Sequence, residues 1–66
     1  MTREEFDERI NKTLVSMDVT YHTVKDDPER WGRLFEAYKH MPEEALELIM
    51  KDAIDEYRRS DGAMYN

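Results

Sequence analysis

The chain has 66 residues, of which 39% are charged, and its net charge is −6 with both histidines neutral. This acidity disfavours direct binding to nucleic acid or to an anionic membrane surface, because both require clustered lysine and arginine. The sequence has no cysteine, which excludes disulfides and thiolate zinc sites, and no apolar segment long enough to span a membrane.

The first predicted helix begins after Thr2. Thr2 and Glu5 have the spacing of a capping box, in which each side chain accepts a hydrogen bond from the other residue's backbone N–H. Apolar residues then recur every three or four positions, the period of one helix face: Phe6, Ile10, Leu14, Met17, Tyr21 and Val24. Since neither glycine nor proline interrupts this stripe, the pattern predicts one helix over residues 3–25.

Residues 18–25 also fit a second interpretation, because they are rich in β-branched residues, which favour strands. No other segment has the pattern of a strand. A strand here would therefore need a pairing partner from a second copy of the chain or from another protein. The sequence leaves this alternative open, although the continuous apolar stripe favours the helix.

A first helix of this length would place Val15, Val19 and His22 together, on the side opposite the main stripe. A three-helix core would leave that side exposed. We therefore predict that these three residues form an apolar partner-binding surface. The partner would be another protein or a second copy of the chain, so a homodimer is one alternative.

Two prolines mark the starts of the later helices. Asp27 and Pro28 predict a helix over residues 28–40, because aspartate caps a first turn and proline fits within it. Gly32 costs about 1 kcal/mol relative to alanine inside a helix, which indicates either a close contact or a loose first turn. Pro42 precedes the third predicted helix, over residues 43–60.

The predicted fold is all-α, a small antiparallel three-helix bundle. It consists of one helical domain over residues 1–61 and a flexible C-terminal tail over residues 62–66. The apolar faces of the helices predict this core: Phe6, Ile10, Met17, Trp31, Leu34, Phe35, Tyr38, Leu46, Ile49, Ala53 and Tyr57.

The sequence offers little for catalysis or metal binding. Neither Ser16 nor Ser60 lies in a nucleophile-elbow motif. Asp18 and His22 would share a face of the first helix, but two ligands are fewer than the three or four that zinc requires. Neighbouring carboxylates on three short helices lack the dry cleft that general acid–base catalysis needs. We therefore predict no catalytic residues, no metal and no cofactor.

The third helix carries a second predicted partner-binding surface, which is acidic. Carboxylates spaced three and four residues apart can form a row of negative charge that imitates a phosphate backbone. Helix stabilisation also explains part of the pattern, since acids begin this helix and arginines end it. The acidic surface comprises Glu43, Glu44, Glu47, Asp52, Asp55 and Glu56.

These patterns predict a cytoplasmic, non-enzymatic protein–protein interaction module that acts through a helical surface, such as an adaptor, regulator or inhibitor. The alternative is an acidic nucleic-acid mimic that blocks the basic groove of a DNA- or RNA-binding protein. Ionic strength separates the two functions. The affinity of a mimic for its target would fall steeply with added salt, whereas an apolar contact would change little.

Overall fold

Three α-helices build the protein: α1 at Arg3–Ser16, α2 at Pro28–Tyr38 and α3 at Glu43–Gly62. The computed structural model describes residues 1–62, so residues 63–66 of the predicted tail lie outside the described residues. The backbone of α1 packs against both α2 and α3, which approach α1 more closely than they approach each other. The predicted all-α three-helix bundle is confirmed, and residues 1–62 include no strand.

The start of α1 agrees with the sequence prediction. The Thr2 hydroxyl accepts a hydrogen bond from the Glu5 backbone N–H at 3.1 Å, and the Glu5 carboxylate accepts one from the Thr2 backbone N–H at 3.4 Å. Each side chain therefore satisfies a backbone donor that has no partner within the helix.

The predicted end of the first helix is wrong, because α1 stops at Ser16 rather than at residue 25. Asp18 adopts the left-handed conformation, with φ of 63°. The N–H of Val19 then donates to the Leu14 carbonyl at 2.8 Å, and the N–H of Asp18 donates to the Val15 carbonyl at 3.0 Å. This bond pair is a Schellman motif, and the burial of both Leu14 and Val19 gives it the usual apolar contact.

The segment after α1 is neither helix nor strand, but an ordered loop that forms part of the core. Val19 and Val24 are buried, and a short 3-10 turn spans Val24–Asp26. The Asn11 side-chain carbonyl accepts a hydrogen bond from the Val24 backbone N–H at 3.0 Å, which holds the loop against α1. The Asp26 carboxylate accepts another from the Thr23 backbone N–H at 2.7 Å.

Asp18→Gly is expected to raise the free energy of unfolding by about 0.5–1 kcal/mol, because glycine adopts the left-handed conformation without the penalty that a Cβ atom brings. Urea unfolding of the variant and the wild type measures this difference. In the middle of a continuous helix the same substitution would instead lower stability, by about 0.3 kcal/mol, since aspartate is itself a poor helix former. The sign of the change therefore distinguishes a helix that ends at Ser16 from one that runs to residue 25.

The start of α2 also agrees with the sequence. The Asp27 carboxylate accepts hydrogen bonds from the Arg30 backbone N–H at 3.2 Å and from its guanidinium at 3.1 Å. Desolvation raises the pKa of Asp27, but these bonds and the charges of Arg30 and Arg33 outweigh it, so the pKa lies below its ordinary value. Asp27 is therefore an ionised cap for the first turn of α2.

A close contact explains the glycine at position 32, and this was one of the two explanations predicted for a glycine inside α2. A Cβ atom at this position would lie 2.8 Å from Nη1 of Arg3. The Arg3 side chain crosses α2 here, donates to the Pro28 carbonyl at 3.2 Å and pairs with Asp7 at 2.7 Å. Glycine thus lets an arginine from α1 lie directly on the α2 backbone.

The core joins all three helices and the loop. Five of the predicted core residues are less buried than expected. Tyr38 is 37% exposed, and Ile49 is half-buried. Met17, Leu34 and Ala53 are partly buried and pack against the margin of the core. Tyr21, assigned to the main stripe, is 61% exposed because the helix has already ended. The buried apolar residues are Phe6, Ile10, Leu14, Val19, Val24, Trp31, Phe35, Leu46, Met50, Ile54 and Tyr57.

Candidate functional site

His22 is a buried polar residue of the core and lies between two aromatic side chains. Nε2 of His22 is 3.0 Å from Nε1 of Trp31, and Nδ1 is 3.0 Å from the Tyr57 hydroxyl. The three rings come from the loop, α2 and α3, so this contact links three parts of the chain. Asp26 lies at the edge of the cluster, with a carboxylate oxygen 3.9 Å from Nδ1.

The partners of His22 determine which of its nitrogens carries the proton. The indole N–H of Trp31 can only donate, so Nε2 must be the unprotonated acceptor. Nδ1 then carries the proton and donates to the oxygen of Tyr57. Both ring nitrogens are therefore engaged within the protein, which favours a structural role over proton transfer to a substrate.

Long-range ¹H–¹⁵N NMR correlations at neutral pH are expected to identify the Nδ1–H tautomer of His22. Nδ1 should resonate as a protonated nitrogen and Nε2 as an unprotonated one, because Trp31 fixes the acceptor. His40 is exposed and provides the internal reference for a histidine in water. Observation of the Nε2–H tautomer at His22 would contradict the Trp31 hydrogen bond.

The prediction that Val15, Val19 and His22 form one exposed apolar surface is wrong. Val15 is 63% exposed, whereas Val19 is 1% and His22 is 7% exposed. The turn at Asp18 redirects the chain, so the latter two residues face the core instead of continuing the outer side of α1. Asp18 and His22 do not share a helix face either, because both follow the end of α1.

The acidic surface predicted on α3 has all six of its carboxylates exposed. Glu43 pairs with Arg9 of α1 at 2.6 Å, and Asp55 lies 4.0 Å from Arg58. Within the described part of the chain, the other four carboxylates make no ion pair: Glu44, Glu47, Asp52 and Glu56.

Four exposed residues of α3 follow one another at intervals of four, and such residues form a continuous ridge on a helix. We call this the acidic ridge, and it consists of Glu44, Leu48, Asp52 and Glu56. Leu48 is 65% exposed, the highest exposed fraction among the large apolar side chains of the described residues. The acidic ridge thus combines one accessible apolar side chain with three carboxylates that have no ion pair in the described part of the chain.

A groove of about 380 Å³ lies between α2 and α3, beside the acidic ridge. The backbones of α2 and α3 lie close to α1 and less close to each other. Its apolar lining comes from four side chains, and its polar lining includes Asp52 and Glu56 of the acidic ridge together with Arg59. The apolar lining residues are Leu34, Tyr38, Ile49 and Ala53.

A second depression, of about 310 Å³, lies between α1 and α3. Arg9, Lys12 and Glu47 line it together with Thr13 and Met50. Cationic and anionic side chains face each other here, and Arg9 is already paired with Glu43. This depression therefore has less unbalanced charge than the groove and the acidic ridge.

Residues 1–62 contain no group of three or more histidine, cysteine, aspartate or glutamate side chains arranged to hold a metal ion. None of the helices in this part of the chain has the length and apolar character needed to cross a membrane. Comparison with known proteins gives no match to a family model, to a curated protein or to a solved structure.

Proposed function

We propose that this protein is a cytoplasmic, non-enzymatic interaction module that binds a basic partner protein through the acidic ridge of α3. The observation that carries the proposal is the composition of this ridge. Glu44, Asp52 and Glu56 are exposed without an ion pair in the described residues, and Leu48 among them is 65% exposed. A partner with complementary lysine or arginine would satisfy these charges and cover the leucine.

The two components of the ridge would contribute differently to binding. Unpaired carboxylates on a chain of net charge −6 attract a basic partner over a distance and raise its association rate. Burial of Leu48 adds an apolar contact that salt does not screen. Exposed ion pairs are individually weak, so the apolar contact is needed for a stable complex.

The engagement of His22 supports a binding function over an enzymatic one. Its two ring nitrogens bond to Trp31 and Tyr57, and it is only 7% exposed. The carboxylates of the acidic ridge are open to water, where general acid–base catalysis is inefficient. We therefore assign no catalytic residue.

Selection from a random peptide library tests the proposed function. Peptides that bind the immobilised protein are expected to be enriched in lysine and arginine and to carry apolar residues, because both properties complement the acidic ridge. Selection against a Leu48→Ser variant is the control for the apolar contact. A pool with the composition of the unselected library would contradict the proposal.

The unpaired carboxylates also favour the second function, an acidic mimic of nucleic acid. Glu44, Asp52 and Glu56 place negative charge along α3 at separations of about 12 Å and about 6 Å, from the helical rise per residue. A mimic would compete with the immobilised DNA for the basic grooves of bound proteins and would therefore elute those proteins from a DNA column. Failure to elute any protein at low salt would exclude this function but leave the interaction module untouched.

A further inference from the structure

We infer that the groove between α2 and α3 is the docking site for one amphipathic helix of a partner protein, with lysine or arginine along one side of its apolar stripe. This inference rests on the proposed function, because it names the part of α3's surface where the basic partner binds. It adds three points to that function: the partner binds as a helix, α2 also contributes to the binding site, and the partner helix carries lysine or arginine beside its apolar stripe.

The apolar lining of the groove is incompletely covered by the protein itself. Tyr38 is 37% exposed, and Leu34, Ile49 and Ala53 are each partly accessible. The volume of about 380 Å³ lies in the range of sites that hold ligands and is large enough for apolar side chains from consecutive turns of a helix.

The shape of the groove favours a helix over an extended peptide. Extended peptides commonly gain affinity by adding a strand to a sheet edge, and residues 1–62 include no strand. Two neighbouring helices instead form a channel into which a third helix can insert its apolar ridge. Leu34 and Tyr38 on α2 and Ile49 and Ala53 on α3 have the i, i+4 spacing that provides such walls.

The charge of the α3 wall specifies the chemistry of the partner. Asp52 and Glu56 lie one helical turn apart at the groove and make no ion pair among the described residues. Lysines or arginines four residues apart on a partner helix would match them. Arg59 at the same groove favours an acidic or amide side chain one turn further along the partner.

The same charges disfavour a second copy of this chain as the occupant. Each copy carries a net charge of −6, so self-association would bring carboxylates towards the carboxylates of Asp52 and Glu56. Like charges at an interface lower affinity and exclude wrong partners. The groove therefore fits a basic partner better than its own sequence.

The test uses a synthetic amphipathic helix with leucines at positions i, i+4 and i+7 and lysines along one side. Its addition to ¹⁵N-labelled protein is expected to shift the backbone resonances of Leu34, Tyr38 and Ile49. Ile49→Lys should weaken binding at least about tenfold, which corresponds to about 1.4 kcal/mol. Val15→Lys, which places the same charge at an exposed position of α1, should change the affinity less than about twofold.

Charge reversal is the second arm of the test. A protein with Asp52→Lys and Glu56→Lys should prefer a peptide in which glutamates replace the lysines, by at least about tenfold. If Ile49→Lys fails to fold, as judged from its NMR spectrum, Tyr38→Ser replaces it. The charge-reversed protein leaves the apolar lining intact and therefore remains informative in either case.

The outcomes separate the inference from the proposed function. Resonance shifts centred on Leu48 and Glu44, with the groove unaffected, would overturn the groove but preserve the acidic ridge as a binding surface. Absence of binding by this peptide and by every basic peptide from the library would overturn both. Without peptide, shifts of the groove resonances that grow with protein concentration would identify a second copy of the chain as the occupant. That result would also overturn the inference.

Discussion

Replacement of Val19 with glutamate is expected to unfold the protein. Val19 is 1% exposed and packs in the core beside the end of α1. An unpaired charge at such a site costs about 3–5 kcal/mol. A 66-residue domain has a total stability of about 3–10 kcal/mol, so this cost equals much or all of it. Circular dichroism and urea unfolding should show a large loss of helix and of cooperativity.

Val15→Glu is the matched control. The sequence places both valines on one helix face, whereas the structure leaves Val15 63% exposed. The same substitution at Val15 should change the free energy of unfolding by no more than about 0.5 kcal/mol. Similar stability for the two variants would show that residues 15 and 19 do share an exposed face, and would contradict the turn at Asp18.

The second large effect is expected at His22. His22→Leu should lower the free energy of unfolding by about 3 kcal/mol, because it leaves the indole N–H of Trp31 without its acceptor in a site that is 0% exposed. It also removes the hydrogen bond between the imidazole and Tyr57. Urea unfolding monitored by circular dichroism measures the loss. His40→Leu, at an exposed position, is the control and should have little effect.

A double-mutant cycle separates the hydrogen bond from the general effect of changing a core residue. Trp31→Phe removes the indole donor, so His22→Leu should cost about 1–2 kcal/mol less in that background than in the wild type. Additive effects of the two substitutions would show that Trp31 and His22 do not interact. The loss of the hydrogen bond between His22 and Tyr57 cancels from this difference, because His22→Leu removes that bond in both backgrounds.

The helix starts could be predicted because they depend on neighbouring residues. Thr2 with Glu5 forms the expected capping box, and Asp27 caps the helix that Pro28 begins. The apolar period likewise identified most of the core, since Phe6, Ile10, Trp31 and Leu46 are all fully or almost fully buried. These features require only contacts within one helix or the general burial of one helix face.

The end of α1 could not be predicted in the same way. Asp18 occupies a left-handed position that glycine usually takes, so the usual sequence signal is missing. The spacing from Met17 to Tyr21 continues the helical period by coincidence. The available signal was the cluster of β-branched residues, which disfavour helix. In the structure these residues belong to a loop, and the side chains of Val19, His22 and Val24 in that loop are buried in the core.

The candidate site was predicted in part. The exposure of the acidic residues follows from their charge, so Glu44, Asp52 and Glu56 were correctly placed on the surface. The groove was missed because Tyr38 and Ile49 lie on the apolar faces of their helices and were assigned to the core. Whether such residues become buried depends on the distance between α2 and α3, which sequence periodicity does not specify.

The most direct test of the binding function compares two variants with the same net charge. The ridge variant neutralises the acidic ridge with the substitutions Glu44→Gln, Asp52→Asn and Glu56→Gln. The control variant neutralises three exposed glutamates of α1 and α2 with the substitutions Glu4→Gln, Glu8→Gln and Glu29→Gln. Fluorescence anisotropy measures the affinity of each for the most enriched basic peptide from the library. The ridge variant is predicted to bind at least about tenfold more weakly than the wild type, a change of about 1.4 kcal/mol, and the other variant within about twofold. Equal losses in the two variants would show that only overall charge attracts the peptide, and would contradict a binding site on α3.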